Sequence, residues 1–158
     1  EVLNASLLGV PQARKRFFMI GRIGEKDGFL REALLSNQSE KPMTVKDYFC
    51  DDIDIEFYYA HPRSYNRRAI FSVNEPSSTI RGVNRPIPKT YKKHPADKCE
   101  PDGNVRALTT KERSLIQTFP KDFKLEGAKT NLEQAIGNAV PVKMAEYVAN
   151  AINNYANK

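Results

Sequence analysis

The strongest constraint on this chain is a long stretch that offers no regular element of useful length. Residues 57–105 are poor in helix signals and rich in Pro, Arg, Tyr and Ser, with short β-prone pieces such as Ala69-Ile70-Phe71-Ser72-Val73. Such a stretch folds as a loop-dominated region. It also carries the charge. Residues 61–98 hold nine Lys or Arg (Arg63, Arg67, Arg68, Arg81, Arg85, Lys89, Lys92, Lys93, Lys98) against Glu75 and Asp97, a local excess of +7 in a chain whose net charge is +6. A concentrated basic segment attracts a polyanion, nucleic acid being the common one, and a solvated basic loop is the bland alternative.

The ends are more regular. Val2, Leu3, Leu7 and Leu8 precede a turn at Gly9-Val10-Pro11, and a second apolar run follows from Phe17 to Ile20, which predicts two adjacent strands with a tight connection and a buried Phe17-Phe18 pair. Residues 29–35 suit a short helix, and residues 36–42 read as a linker. Thr44 with Asp47, and Thr109 with Glu112, have the spacing of capping boxes, the second opening a helix that ends near Phe119-Pro120. Asn131 and Gln134 repeat that logic. A last helix is expected from Pro141, which suits a first helical position, with Met144, Val148, Ile152 and Tyr155 forming one apolar stripe.

A chain of 158 residues is long enough for one ordinary domain, and 40% hydrophobic with 28% charged residues fits a soluble globular protein. No apolar run approaches a membrane span, and no secretory signal stands at the start. Cys50 and Cys99 lack metal-ligand spacing and read as reduced cytosolic thiols. His61 and His94 each precede a proline and read as loop-shaping residues. The acidic patch of Asp51, Asp52, Asp54 and Glu56 reads as solvated surface; no metal site is expected.

Two segments have the residue types for recognition chemistry. Gln12, Arg14 and Arg16 alternate, so in a strand they share one face while Ala13 and Lys15 share the other. Polar side chains beside a buried apolar pair need partners, and an arginine fork suits carboxylates, phosphates or a base carbonyl oxygen. A strand-end salt-bridge cluster is the alternative. The second segment runs from Glu75 to Pro86, where small hydroxyl residues, Gly82, Arg81, Asn84 and Arg85 allow close approach to nucleic acid. Lys89, Lys92 and Lys93 would add phosphate contacts without sequence specificity.

Three motifs in order carry a resemblance: Gly9-Val10-Pro11-Gln12-Ala13-Arg14-Lys15-Arg16-Phe17-Phe18-Met19-Ile20-Gly21, then Arg106-Ala107-Leu108-Thr109-Thr110-Lys111-Glu112-Arg113 running into Gln117-Thr118-Phe119-Pro120, then Gly137-Asn138-Ala139-Val140-Pro141. The chain resembles the closing third of the DNA (cytosine-5)-methyltransferases over nearly its whole length. The resemblance implies that Gln12, Arg14 and Arg16 line the pocket for a flipped cytosine. Arg16 would contact the base oxygen and its phosphate, and the other two would organise the site around it. Thr79, Arg81 and Gly82 fall in the family's target-recognition loop, with Asn84, Arg85 and Lys89 as further DNA-binding candidates. Arg106 would brace that loop. Asn138, Ala139 and Val140 would help close the S-adenosylmethionine pocket.

The fold implied is α/β: the edge of a doubly wound S-adenosylmethionine-dependent methyltransferase domain plus a small loop-rich target-recognition domain. Residues 1–35 would supply strands of the catalytic domain, 36–130 the recognition domain, and 131–158 a helix returning to the catalytic domain. Neither cysteine follows a proline, as the family's nucleophile does, and no Phe-x-Gly-x-Gly turn or Glu-Asn-Val segment occurs. The chain begins with Glu1 rather than Met. It is therefore expected to be the carboxy-terminal portion, or the small subunit, of an enzyme whose amino-terminal part supplies nucleophile, acid and donor site, and to be inactive alone. The expected setting is a bacterial restriction-modification system in the cytoplasm, acting on double-stranded DNA. The closing helix and opening strands would dock on the absent half and favour self-association when isolated. A non-catalytic DNA-binding module and a basic RNA-binding domain, stacking bases on Tyr58, Tyr59 and Tyr65, are the other classes.

Overall fold

Apolar residues from the two ends of the chain fold onto one another. In the computed structural model, which describes residues 1–50, 52–64 and 66–157, β1 (Val2–Asn4) pairs antiparallel with β2 (Lys15–Phe17), Leu3 lying opposite Arg16. Their connection is not a tight turn. A 3-10 turn at Ala5–Leu7 and Gly9, at a φ of 74° that glycine adopts without strain, lead into a segment in which Val10, Pro11, Gln12 and Arg14 are buried. The expectation for Phe17 and Phe18 is corrected here: Phe17 is 69% exposed and Phe18 half-buried. The strand's two-residue period explains this, because burying Gln12 and Arg14 turns Ala13, Lys15 and Phe17 outward.

The closing helix, α5 (Val142–Ala156), covers the opposite side of this segment. Met144, Val148 and Ala151 are buried against Leu3, Ala5, Leu8, Val10, Leu30 and Leu34, with Tyr155 at the margin. Each large apolar side chain so covered contributes about 1.5–3 kcal/mol. The stripe therefore runs through Ala151, while Ile152 remains 39% exposed. The helix and the opening strand thus dock on each other. Pro141 precedes the helix as its cap. The short α1 (Arg31–Ser36) packs on the same helix, and Tyr147 donates from its hydroxyl to Leu34 O at 3.0 Å.

The middle of the chain builds a separate core. α2 (Val45–Phe49) carries the Thr44/Asp47 capping box. β3 (Phe57–Tyr59) is flanked by antiparallel β4 (Ile70–Ser72) and parallel β5 (Arg106–Ala107), giving the order β4-β3-β5. α3 (Thr110–Ile116) carries the Thr109/Glu112 box and ends before Thr118, whose φ of 59° is unusual for a β-branched residue. α4 (Lys129–Asn138) begins at Ala128 without a side-chain cap, so Asn131 and Gln134 lie inside it and cap nothing. Packing of α4 on α3, with Ile136 and Ile116 buried together, replaces the local cap. The architecture is mixed α/β with two small sheets.

Between β4 and β5 the chain is irregular, as its composition predicts, yet pinned at one point. Asp97 accepts hydrogen bonds from Ala69 N and Ile70 N on one carboxylate oxygen, and from His94 N and the Tyr91 hydroxyl on the other, all between 2.5 and 2.8 Å. Burial works to raise the Asp97 carboxyl, but the hydrogen bonds outweigh it and hold the group below its usual range. Burial and the Asp97 carboxylate push the Tyr91 hydroxyl up. Among the described residues, no helix is long and apolar enough to cross a membrane.

Candidate nucleic-acid interface

The site begins where two loops run side by side. Ser77 N donates to Pro11 O at 2.9 Å, Ala13 N donates to Ser77 O at 2.8 Å, and the Thr79 hydroxyl donates to Ala13 O at 3.2 Å. This parallel pairing aims Gln12 and Arg14 inward, and both are essentially buried, 0% and 2% exposed. Gln12 Oε1 accepts from Ile80 N at 2.9 Å and its Nε2 donates to Gln117 Oε1 at 2.9 Å. Arg14 donates through Nη1 to Ile80 O at 2.9 Å and through Nη2 to Gly137 O at 3.1 Å. Burial, reinforced by neighbouring Arg16, lowers the Arg14 guanidinium to about 10. These two residues therefore organise backbone and do not present themselves to a ligand.

Arg16 behaves differently. It is half-buried, and among the described residues its Nη1 donates only to the adjacent Lys15 O at 2.8 Å. Among the described residues, neither Arg14 nor Arg16 forms an ion pair with a carboxylate, so the strand-end salt-bridge alternative lacks its acids. Arg16 is the member of the trio left with its fork open to an incoming acceptor.

A second buried polar cluster braces the loop of residues 81–84 from behind. Arg113 on α3 and Glu133 on α4 approach to 2.6 Å, with side chains 6% and 4% exposed. Burial pushes the Arg113 guanidinium down while Glu133 opposes that shift. Arg113 also donates to Val83 O at 3.2 Å and to Arg81 O. Asn84 donates to Leu108 O at 2.8 Å and to Glu133 Oε1 at 3.1 Å, so its Nδ2 donors are engaged inside the fold. Gly137 on α4 meets the loop backbone directly: a Cβ there would lie 2.2 Å from both Arg81 C and Gly82 N. Arg106 reaches Glu112 through both Nη atoms at 2.8 and 2.7 Å and Asp54 at 3.4 Å, contacts that join β5 to α3 and to the acidic segment before β3.

In front of this frame lies a cleft of about 360 Å³ lined by the loop after β3 and by residues 78–84. Arg63, Arg67, Arg68, Arg81 and Arg113 contribute to its walls, and among the described residues no Asp or Glu does. Arg68 is committed, since it grips Glu75 through both Nη atoms at 3.0 and 2.8 Å and lies 4.3 Å over the Phe71 ring. Arg113 is committed as above, and Arg81 donates to His61 O. Burial, then Arg85 and Arg81, depress the His61 imidazole, which leaves it uncharged at neutral pH. A positive, partly apolar recess of this kind suits phosphates and base edges.

Of the DNA-binding candidates, Thr79, Arg81 and Asn84 line the cleft, Gly82 does not line it and lies against Gln134 of α4, and Arg85 and Lys89 stand exposed. Lys92 is exposed, and Lys93 pairs with Glu100. The cofactor candidates span the end of α4 and the residues after it: Asn138 is exposed, Ala139 half-buried and Val140 43% exposed. Asp52 pairs with Lys121 and Asp54 with Arg106, while Asp51 and Tyr65 lie outside the described residues. Among the described residues no His, Cys, Asp or Glu cluster could hold a metal, and both cysteines are free.

Sequence reasoning missed His61, Arg63 and Arg67 as cleft residues, and Gln117 and the Arg113–Glu133 pair as its frame. The basic excess after residue 60 signals the first group. Nothing local signals the second, because its partners lie 20 to 105 positions apart.

Comparison with known proteins adds an independent line. A family model described as C-5 cytosine-specific DNA methylase matches residues 1–154. The chain is 56% identical to Type II methyltransferase M.HindV of Haemophilus influenzae, over 98% of this chain and 51% of that protein. It is likewise 56% identical to Type II methyltransferase M.HgiDI of Herpetosiphon aurantiacus, over 99% of this chain and 50% of that protein. Type II methyltransferase M.MspI of Moraxella sp is 26% identical over 96% of this chain and 37% of its own length. The chain thus spans about half the length of the first two relatives.

Proposed function

Because this chain belongs to the C-5 cytosine-specific DNA methylase family, we propose that it is the target-recognition and site-closing portion of a type II DNA (cytosine-5)-methyltransferase. The complete enzyme transfers a methyl group to carbon 5 of a cytosine flipped out of duplex DNA. Residues 1–35 and 131–158 form the edge of its doubly wound catalytic domain, and residues 36–130 form the recognition domain. One observation carries the reading: an arginine cleft at Thr79 and Arg81, with no Asp or Glu among its described lining residues, is tied by buried Arg14 to Gly137 in the last turn of α4.

Each residue then has a task. Arg16 offers its guanidinium to the oxygen of the flipped base and the neighbouring phosphate, a bidentate geometry that arginine provides and lysine does not. Arg63, Arg67, Arg81 and Arg85 hold the DNA backbone or base edges at the cleft. Asn138, Ala139 and Val140 close one side of the S-adenosylmethionine pocket. S-adenosylmethionine, when bound, supplies the methyl group. The Pro-Cys nucleophile, the acid and the glycine-rich cofactor turn come from the other half of the enzyme, since none occurs in this sequence.

The test is transfer of a radiolabelled methyl group to DNA by this chain alone and by this chain co-expressed with its upstream coding region. Activity in the mixture only is the expected result. Activity of the chain alone overturns the division of labour. DNA binding with no transfer in either arm replaces the enzyme reading with a non-catalytic binding module.

A further inference from the structure

Gln117 is a fully buried polar residue at the meeting point of three segments, and nothing in its sequence neighbourhood accounts for that. It is 0% exposed at the end of α3. Its Oε1 accepts from Gln12 Nε2 at 2.9 Å, and its Nε2 donates to Ile136 O at 2.5 Å and to Ala139 O at 3.3 Å. Gln12 in turn accepts from Ile80 N at 2.9 Å. Two side-chain amides therefore join the backbone of the recognition loop to the backbone of the turn Asn138–Val140.

The same point fixes the closing helix. The first amides of α5 have no side-chain cap from Pro141. Instead Val142 N donates to Gln117 O at 3.0 Å, and Lys143 N donates to the Thr118 hydroxyl at 3.0 Å. Thr118 reaches this position with a φ of 59°, a conformation that costs a β-branched residue energy and persists only when its surroundings enforce it. Residues 117 and 118 thus hold the turn from both of its ends.

We propose that Gln117 is a positioning residue that couples DNA-site engagement to the cofactor turn. A shift of the loop at Ile80 moves Gln12, Gln12 moves Gln117, and Gln117 carries the Ile136 and Ala139 carbonyls with it. Target DNA therefore tightens cofactor binding, and the cofactor tightens target DNA by the same factor, as linkage requires. This rests on the assignment of the turn to the cofactor pocket under Proposed function.

The experiment uses the complete enzyme, this chain with its upstream half. S-adenosylmethionine affinity is measured with and without target duplex, for the wild type, Gln117→Met, Gln12→Met and the double variant, alongside melting temperature and methyl transfer. The wild-type ratio of affinities is expected to be about tenfold. Either single change should bring it toward one, and the double change should add nothing further. A purely structural role would lower the melting temperature and leave the ratio alone. A wild-type ratio of one, or an unchanged ratio in the variants, overturns the coupling. Should Gln117→Met fail to fold, Gln12→Met cuts the same link from the loop side and decides by the same ratio. Absence of methyl transfer in the wild type is a separate result, and it overturns the enzyme assignment itself.

Discussion

Three arginines of similar appearance do different work because of where their forks end. Arg14 is buried with two carbonyl partners 66 and 123 positions away, so its removal unpairs Ile80 O and Gly137 O inside the fold. Arg14→Met is expected to cost about 3 kcal/mol in denaturant unfolding, the range for stranding buried hydrogen-bonding groups. Arg16 has only its neighbour's carbonyl. Arg16→Ala should change stability by less than about 0.5 kcal/mol and still abolish methyl transfer by the complete enzyme. Normal turnover of that variant would remove Arg16 from the base pocket. Arg113 has a carboxylate within 2.6 Å, so its loss leaves Glu133 charged and buried, the costlier kind of vacancy.

At the scale of elements, legibility tracked the distance over which each element is decided. The capping boxes at Thr44 and Thr109 were readable because donor and acceptor lie three residues apart. The start of α4 was not, since packing against α3 fixes it and Ala128 offers no side-chain cap. β3 and β5 escaped notice because strands of three and two residues leave no periodic trace. The motifs named Arg16, Thr79 and Arg81 as candidates, but the amide link through Gln117 joins positions 105 apart and leaves no local pattern. The Asp97 clasp is another such element, and it makes a pH prediction. Its folded carboxyl titrates below the ordinary value of 3.8, so its stabilisation is complete above that value and is lost as pH falls through the lower, folded one. Asp97→Asn should therefore destabilise the chain near neutral pH, by about 2 kcal/mol. The difference between variant and wild type should shrink in acid below the ordinary aspartate range. An equal difference at every pH would mean that the charge of Asp97 contributes nothing.

Over the whole molecule, charge and apolar surface are segregated. Positive side chains gather at the cleft and its rim, where Arg63 and Arg67 form no ion pair among the described residues. Duplex binding by the chain should weaken steeply with salt. Changing Arg63 and Arg67 to alanine should flatten the logarithmic salt slope by about one for each phosphate no longer neutralised, measured by fluorescence titration. Some of the exposed apolar side chains lie elsewhere: Val2 at 59% and Phe17 at 69% exposed on β1 and β2, and Met19 at 86% two residues beyond β2. Val2 and Phe17 are direct cross-strand partners, so their side chains add into one patch. Water-exposed patches of this kind drive association when nothing covers them. The isolated chain should therefore sediment as a concentration-dependent mixture of monomer and larger species. Replacing Phe17 and Met19 by serine should return it to monomer without lowering its melting temperature, because neither residue belongs to a buried core. Monomeric wild-type chain at high concentration would show that this edge is too small to hold two copies together. A variant that stays associated would move the contact to Val140, Val142 and Ile152, the exposed apolar residues around α5.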